Sequence, residues 1–503
     1  MAELIKLADR VHPLYEYNKE TWELYFDSVK GGDEFITEDN LFSHRLEDPE
    51  DYDERLERGY YLNYCDTIPS IYNSFIFRSN IERPPDDSIK DFRANVDGRG
   101  TDISAYIKRA GYFSSVFGVM HILVDINSEG GRIISKADEK NLRPYCSMIY
   151  PTKLRDWAVD DFGNFIWVLI ESEYYDDKDP LYEREIRKHY KLITKEYWKV
   201  EDEEGNLVES GINSLGYIPI ITMYHKDLTD DKVGESMLKD IVYVNRTIMN
   251  WCSCIDEMIE RQTFSQLVLP DDGTLAEASE TGDDPLIRVS TSSVWTANAE
   301  SRWPPQFISP NVENITTIWS LVLDHVKEMF RMAGLIGSSD DLYVSRSGRA
   351  AQMGFLGVNS SLAEKAAKYQ EFENTISKMV YEYMGRDMDD FKEVKYPDSF
   401  DVTALSEEIT TYFSIMERNF STTLNKTIMR SIARRSTPLA PSDIRLKIEE
   451  EIESNSGIVE PVNALGNQDG SNNVGNPNAQ NISNTFRGQK DKKFDEVTKR
   501  KKE

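Results

Sequence analysis

The chain has 503 residues, 39% of them hydrophobic and 11% aromatic, with a formal net charge of −29. This length leaves room for about two to four domains, and the apolar content excludes a chain disordered along most of its length. A free nucleic-acid binder gains affinity by neutralising phosphates and is usually basic. A balance of −29 therefore argues against a conventional DNA-binding protein, but not against one that stands beside DNA without adhering to it.

The first 50 residues are polar and acidic, with Trp22, Tyr25 and Phe26 as apolar anchors. Over 51–78, Leu56, Tyr60, Tyr61 and Tyr64 recur at helical spacing, and Pro69 is expected to end or kink that helix. A second helix is expected over 102–117, with Asp102 as its N-cap. Residues 118–226 then read as a mainly antiparallel β region, with strands at 118–126, 146–159, 165–175, 188–202 and 218–225. DDFGN (160–164) and DEEGN (202–206) mark hairpin turns.

The helical period returns over 234–264, where Val244, Ile248, Trp251, Ile255 and Met258 share a face. Residues 265–308 interrupt it with PDDG, TGDDP and WPP, and carry short β-like runs such as LIRVS (286–290). A second long helix is expected over 312–333, lined by Ile315, Ile318, Val322, Val326 and Met329. The polar stretch GSSDDLYVSRSGRAA (337–351) follows. Leu362, Ala366, Tyr369, Phe372, Ile376, Met379 and Tyr383 mark a third long helix ending near Gly385, with a kink expected near Gly354 and Gly357. Residues 406–455 are helical in pattern, and the Asn-, Gly- and Ser-dense segment and basic end after 458 read as a disordered tail.

The search for chemistry is negative. A phosphate-binding loop needs closely spaced glycines followed by Lys, whereas Gly337 and Gly348 stand eleven apart with no Lys after them. The Asp161-Phe162-Gly163 triplet lacks the other kinase signatures and sits in a turn. His12, His44, His121, His189, His225 and His325 form no metal-ligand spacing, and His121 reads as a satisfied structural residue. Cys65, Cys146, Cys252 and Cys254 make no disulfide framework and read as free thiols of a reducing compartment. The acidic run at 47–54 reads as solvated surface. No apolar leader opens the chain and no apolar run approaches the roughly 20 residues of a membrane span, so assembly in a cytoplasm is expected. No enzyme, metal or cofactor is expected; the pattern points to a structural or interaction component.

The order of parts resembles the portal protein of tailed double-stranded DNA bacteriophages, over roughly residues 50–455. Three stretches carry the likeness: 111–126 with 150–171, then 216–252, then 337–351 with 363–376. The resemblance implies an α+β subunit with an α/β wing (1–233), stem helices (234–264 and 311–333), a small α/β clip (265–310) and a tunnel loop (334–349). A kinked wing helix with its following segment (350–402), a helical crown (403–458) and a disordered tail (459–503) complete it. It further implies a closed homo-oligomeric ring, commonly a dodecamer, at one capsid vertex of the virion. Through its central tunnel double-stranded DNA is packaged by the terminase motor, retained and ejected. The implied partners are the terminase large subunit, the major capsid and scaffolding proteins, and a head-completion or adaptor protein of the head–tail connector, with no membrane. Gly337, Ser338, Ser339, Tyr343, Ser345, Arg346, Ser347 and Arg349 would form the DNA-tunnel loop. The alternatives are another oligomeric virion component, such as a head–tail adaptor or minor capsid protein, and a nucleotide- or sugar-modifying enzyme.

Overall fold

A computed structural model describes residues 5–45, 47–78, 81–127, 143–176, 185–213, 215–226, 232–262, 266–271, 294–298, 306–308, 312–335, 348–398, 400, 412, 414–415, 421–436 and 442–454. The chain divides into two compact units, Met1–Val402 and Thr403–Glu503.

In the first unit, helix α1 (Pro13–Lys30) starts where His12 Nδ1 accepts from the Leu14 amide at 3.1 Å, with Pro13 at the first position, where its missing N–H costs nothing. Its anchors Trp22 and Tyr25 are buried, as the sequence implies. The single helix expected over 51–78 is instead two: α2 (Pro49–Glu57) and α3 (Tyr64–Arg78). Tyr61, counted into the helical pattern, lies in the link between them and packs on Phe35 with centroids 4.4 Å apart. Pro69 does not end α3. It lies inside the helix with Ile68, Tyr72 and Ile76 buried around it, so core packing outweighs the lost backbone bond. A short helix α4 (Lys90–Ala94) precedes α5 (Ile103–Phe117), whose cap Asp102 accepts from the Ser104 and Ala105 amides at 2.8 and 3.1 Å.

Two antiparallel sheets follow, as the alternation predicts. The first has order β2-β1-β8, from β1 (Val119–Asn127), β2 (Arg143–Ile149) and β8 (Ile220–Tyr224). The second is a meander of β3 (Leu154–Val159), β4 (Phe165–Asp176), β5 (Glu185–Thr194), β6 (Tyr197–Glu201) and β7 (Leu207–Ile212). The run 146–159, read as one strand, is broken by a 3-10 turn at Pro151–Lys153 and shared between both sheets. Likewise 188–202 doubles back where Thr194 Oγ1 accepts from the Glu196 and Tyr197 amides. The two predicted hairpin turns are present: Asp160 and Asp202 each bind the amide four residues on, and Gly163 and Gly205 supply φ of +76° and +88°.

Three long helices complete this unit: α6 (Ile241–Gln262), α7 (Val312–Met332) and α8 (Gly348–Tyr383). Between α6 and α7 stands a three-stranded sheet, β9 (Gln266–Asp271), β10 (Val294–Asn298) and β11 (Gln306–Ile308), with β9 central, β10 parallel to it and β11 antiparallel. The LIRVS run lies outside the described residues. Helix α8 runs unbroken through Gly354 and Gly357. It is fixed by a bidentate pair, Arg83 Nε and Nη2 to Glu373 at 2.6 and 2.9 Å, with the Tyr396 hydroxyl donating to the same carboxylate at 2.6 Å.

The second unit contains α9 (Thr422–Ser436) and α10 (Ser442–Ser454), tied by Lys426 Nζ donating to the Glu453 carbonyl at 2.7 Å and by an Arg430–Glu453 pair. These fall within the helical pattern expected over 406–455; most of its first stretch (406–411, 413 and 416–420) and the tail after 454 lie outside the described residues.

Candidate functional site

The helices α6 and α7 form an antiparallel hairpin. At one end β9, four residues after α6, pairs with β11, four residues before α7, so the α6 C-terminus meets the α7 N-terminus. Midway, Trp251 meets His325 edge to face at 4.6 Å between centroids. At the other end, Ile241 and Ala333 belong to one buried cluster.

Helix α6 is set against the N-terminal segment from its base to its middle by polar contacts, most of them partly buried. Asn245 accepts from the Tyr64 amide at 3.0 Å and donates to the Leu62 carbonyl at 2.9 Å. Asn250 donates to the Asn40 carbonyl and accepts from the Phe42 amide. Arg55, on α2, donates through Nε and Nη2 to Glu47, both at 2.7 Å, through Nη1 to Ser253 Oγ at 3.0 Å, and to the Phe42 carbonyl. The Arg55 guanidinium holds the Glu47 carboxyl below its usual range. Glu47 was expected on a solvated acidic surface; the residue is half-buried and its side chain only 6% exposed, because Arg55 of the helix that starts two positions on draws the carboxylate against α6. Asp256 on α6 is pushed upward, by burial first and against the pull of Arg58.

Helix α7 ends in a tight turn: the Leu335 amide donates to the Phe330 carbonyl at 2.9 Å, with Gly334 at φ +71°. The Tyr72 hydroxyl donates to the Ala333 carbonyl at 2.5 Å and pins that end to α3. Of the expected loop residues, Gly337, Ser338, Ser339, Tyr343, Ser345, Arg346 and Ser347 lie outside the described residues. Arg349, expected in the loop, stands in the first turn of α8, where Arg, Ala, Ala, Gln and Met favour helix.

The surface of α7 has three zones. At about 100° per residue, Ile315, Ile318, Val322, Val326, Met329 and Ala333 form one seam, with Val322, Met329 and Ala333 buried in the same cluster as Ile248, Met249 and Cys252 of α6. Flanking the seam on one side are Trp319 and Leu323, each 44% exposed. Flanking it on the other are Leu321 and Met332, 45% and 39% exposed. Opposite the seam runs a polar ridge of Ser320, Asp324, Lys327, Glu328 and Arg331, whose charges pair as Lys327–Asp324 at 3.3 Å and Arg331–Glu328. The sequence reading found the seam and missed both flanks; Trp319 and Leu323 at an i, i+4 spacing were the available signal.

Other sequence readings have definite places. His121 is buried with Nδ1 3.1 Å from Thr222 Oγ1. Burial pushes its pKa down to about 3, so it is a neutral core residue. All four cysteines are free; Cys65, Cys146 and Cys252 are buried and Cys254 half-buried. Among the described residues no group of three or more His, Cys, Asp or Glu is placed to hold a metal ion, and no helix is long and apolar enough to cross a membrane.

No known protein family matches the chain, and no curated protein does. Among solved structures, a chain of "Virion of native gene transfer agent (GTA) particle" is similar at 11% identity and a TM-score of 0.38, over 76% of this chain and 89% of that one.

Proposed function

We propose that the chain is a virion component and, within that class, a portal subunit: one member of a closed ring through whose tunnel double-stranded DNA is packaged, retained and ejected. The observation that carries this reading is the zoning of α7. A helix with one buried seam has one partner. This helix has two further apolar flanks on opposite sides of that seam, each well exposed in the single chain. A head-to-tail ring supplies such a helix with a neighbour on either side, because a rotation that closes uses two different patches of each subunit. The ridge left over then faces the lumen. Its two acids and two bases, paired with one another, offer little unbalanced charge to passing phosphates, which keeps DNA mobile.

In this reading α6 and α7 are the stem, β9 to β11 the clip, and the segment after Leu335 the tunnel loop, with Arg346 touching phosphate briefly at each subunit. The ring, commonly of twelve, sits at one capsid vertex and engages the terminase large subunit, capsid and scaffolding proteins, and a head-completion protein. It carries out no catalysis. Negative-stain microscopy of the purified full chain tests the proposal: a turbine-shaped ring with a central channel is expected, and a monomer or dimer at micromolar concentration overturns it.

A further inference from the structure

Beside the hairpin base is a partly open cavity of about 430 Å³, bounded by the start of α6, the end of α7, α8 and the residues after β8. Its volume is within the usual range of small-ligand sites. Two polar groups in its wall are poorly matched by the surrounding protein. Lys365, on α8, is 7% exposed and lies near the ring faces of Tyr72 and Tyr369 at 5.5 and 5.9 Å. Its ammonium donates to Ser115 Oγ, and among the described residues it pairs with no carboxylate. His225 also lines the cavity, and its Nδ1 is buried with no hydrogen-bond partner among the described residues.

Most of the remaining charges of the wall are already matched, and the Asp240 carboxylate, also in the wall, is exposed to solvent. Glu235 takes Lys226 and Lys239, each at 2.9 Å, and Lys368 pairs with Glu364 at 3.1 Å while donating to the His225 carbonyl at 3.0 Å. A buried ammonium with a hydroxyl and two aromatic faces but no anion carries an uncompensated desolvation cost. A ring nitrogen shut away from water without a partner adds to it. One group would relieve both: an oxyanion with several acceptor oxygens, small enough to enter.

We propose that this cavity binds a small phosphate-type oxyanion, held by Lys365 Nζ and, once the imidazole turns to face it, by His225 Nδ1 as a donor. Burial, with a smaller contribution from Lys368, brings the Lys365 pKa down to about 7, so a bound anion would restore its charge. The inference does not depend on the portal reading, since it rests on the cavity wall alone.

The test is thermal unfolding of the full chain at pH 7 in 10 mM inorganic phosphate, against chloride of equal ionic strength and against acetate. Phosphate is expected to raise the midpoint by about 2 °C over chloride. Lys365→Met keeps the stem and removes the ammonium. It is expected to melt no lower than the parent in chloride and to lose the phosphate response. His225→Phe, on a separate element, is expected to weaken that response at least threefold in dissociation constant by calorimetry. No phosphate effect on the parent chain, or a full effect in both variants, overturns the proposal. An equal effect of acetate overturns the assignment to phosphate.

Discussion

The zoning of α7 makes a sharp prediction for Trp319→Glu. Trp319 is 44% exposed in the single chain. With about 250 Å² on a Trp side chain, roughly 110 Å² is left for a neighbour to cover. At about 25 cal/mol per Å² that area contributes about 2.7 kcal/mol per subunit contact, or roughly 80-fold in each association constant. A carboxylate there adds a desolvation cost, so the variant is expected to run as monomer and short oligomers where the parent runs as a ring. The assay is size-exclusion chromatography with light scattering at micromolar concentration. Circular dichroism should report an unchanged helical signal, because the residue lies outside the α6–α7 seam. Ser320→Glu is the control: one residue on, it points along the polar ridge and should assemble normally. Assembly of Trp319→Glu like the parent refutes the reasoning, and so does equal disruption by Ser320→Glu.

Other perturbations test the frame that holds the hairpin. Arg55→Met leaves the half-buried Glu47 without its partner and is expected to cost about 1.5–3 kcal/mol in urea unfolding. Glu47 is held below its ordinary value of 4.5, so its contribution is fully present above that pH and is lost as pH falls through the lower folded value; the gap between parent and variant should close in acid. Gly234→Ala is expected to lose at least about 2 kcal/mol, because its new Cβ would stand 2.2 Å from the Gly118 carbonyl oxygen; an unchanged denaturant midpoint would contradict that close approach. Tyr72→Phe leaves the Ala333 carbonyl without its donor and should cost about 1–3 kcal/mol by the same measurement. Arg346→Glu should leave ring assembly intact and reduce DNA packaged per particle; normal packaging removes the guiding role of that arginine.

Much of this fold was legible because its signals are local. The Asx turns at Asp160 and Asp202, the cap at Asp102 and the seam of Ile318, Val322 and Met329 all follow from residues within a few positions of each other. What failed depended on partners far along the chain. Pro69 was read as ending or kinking its helix, yet α3, packed against α5 and α8, continues past it. Glu47 was read as solvated, yet its partner Arg55 is closed off by Ser253, 198 positions away from that arginine. The Lys365 cavity had no sequence signal at all, since Ser115 and His225 come to it from a separate helix and strand end.

The charge of the whole chain and the charge of the ridge point to the same physical requirement by different routes. In the proposed ring, a net charge of −29 per subunit would repel DNA at long range, and a tunnel built on that average would oppose filling. Screening limits that repulsion to about 8–10 Å at moderate salt, so DNA in a tunnel responds mainly to the groups nearest it. Along α7 those groups are Asp324, Lys327, Glu328 and Arg331, two of each sign, paired within one helical turn. The acidic excess can therefore be carried elsewhere without governing passage, provided the ridge faces the lumen. If the ridge instead met a neighbouring subunit, doubling its salt bridges would leave DNA passage untouched and change assembly. Lys327→Glu with Arg331→Glu decides between these: slowed packaging in intact rings supports the lumenal orientation, and failed assembly with the Trp319 flank intact places the ridge at the subunit contact.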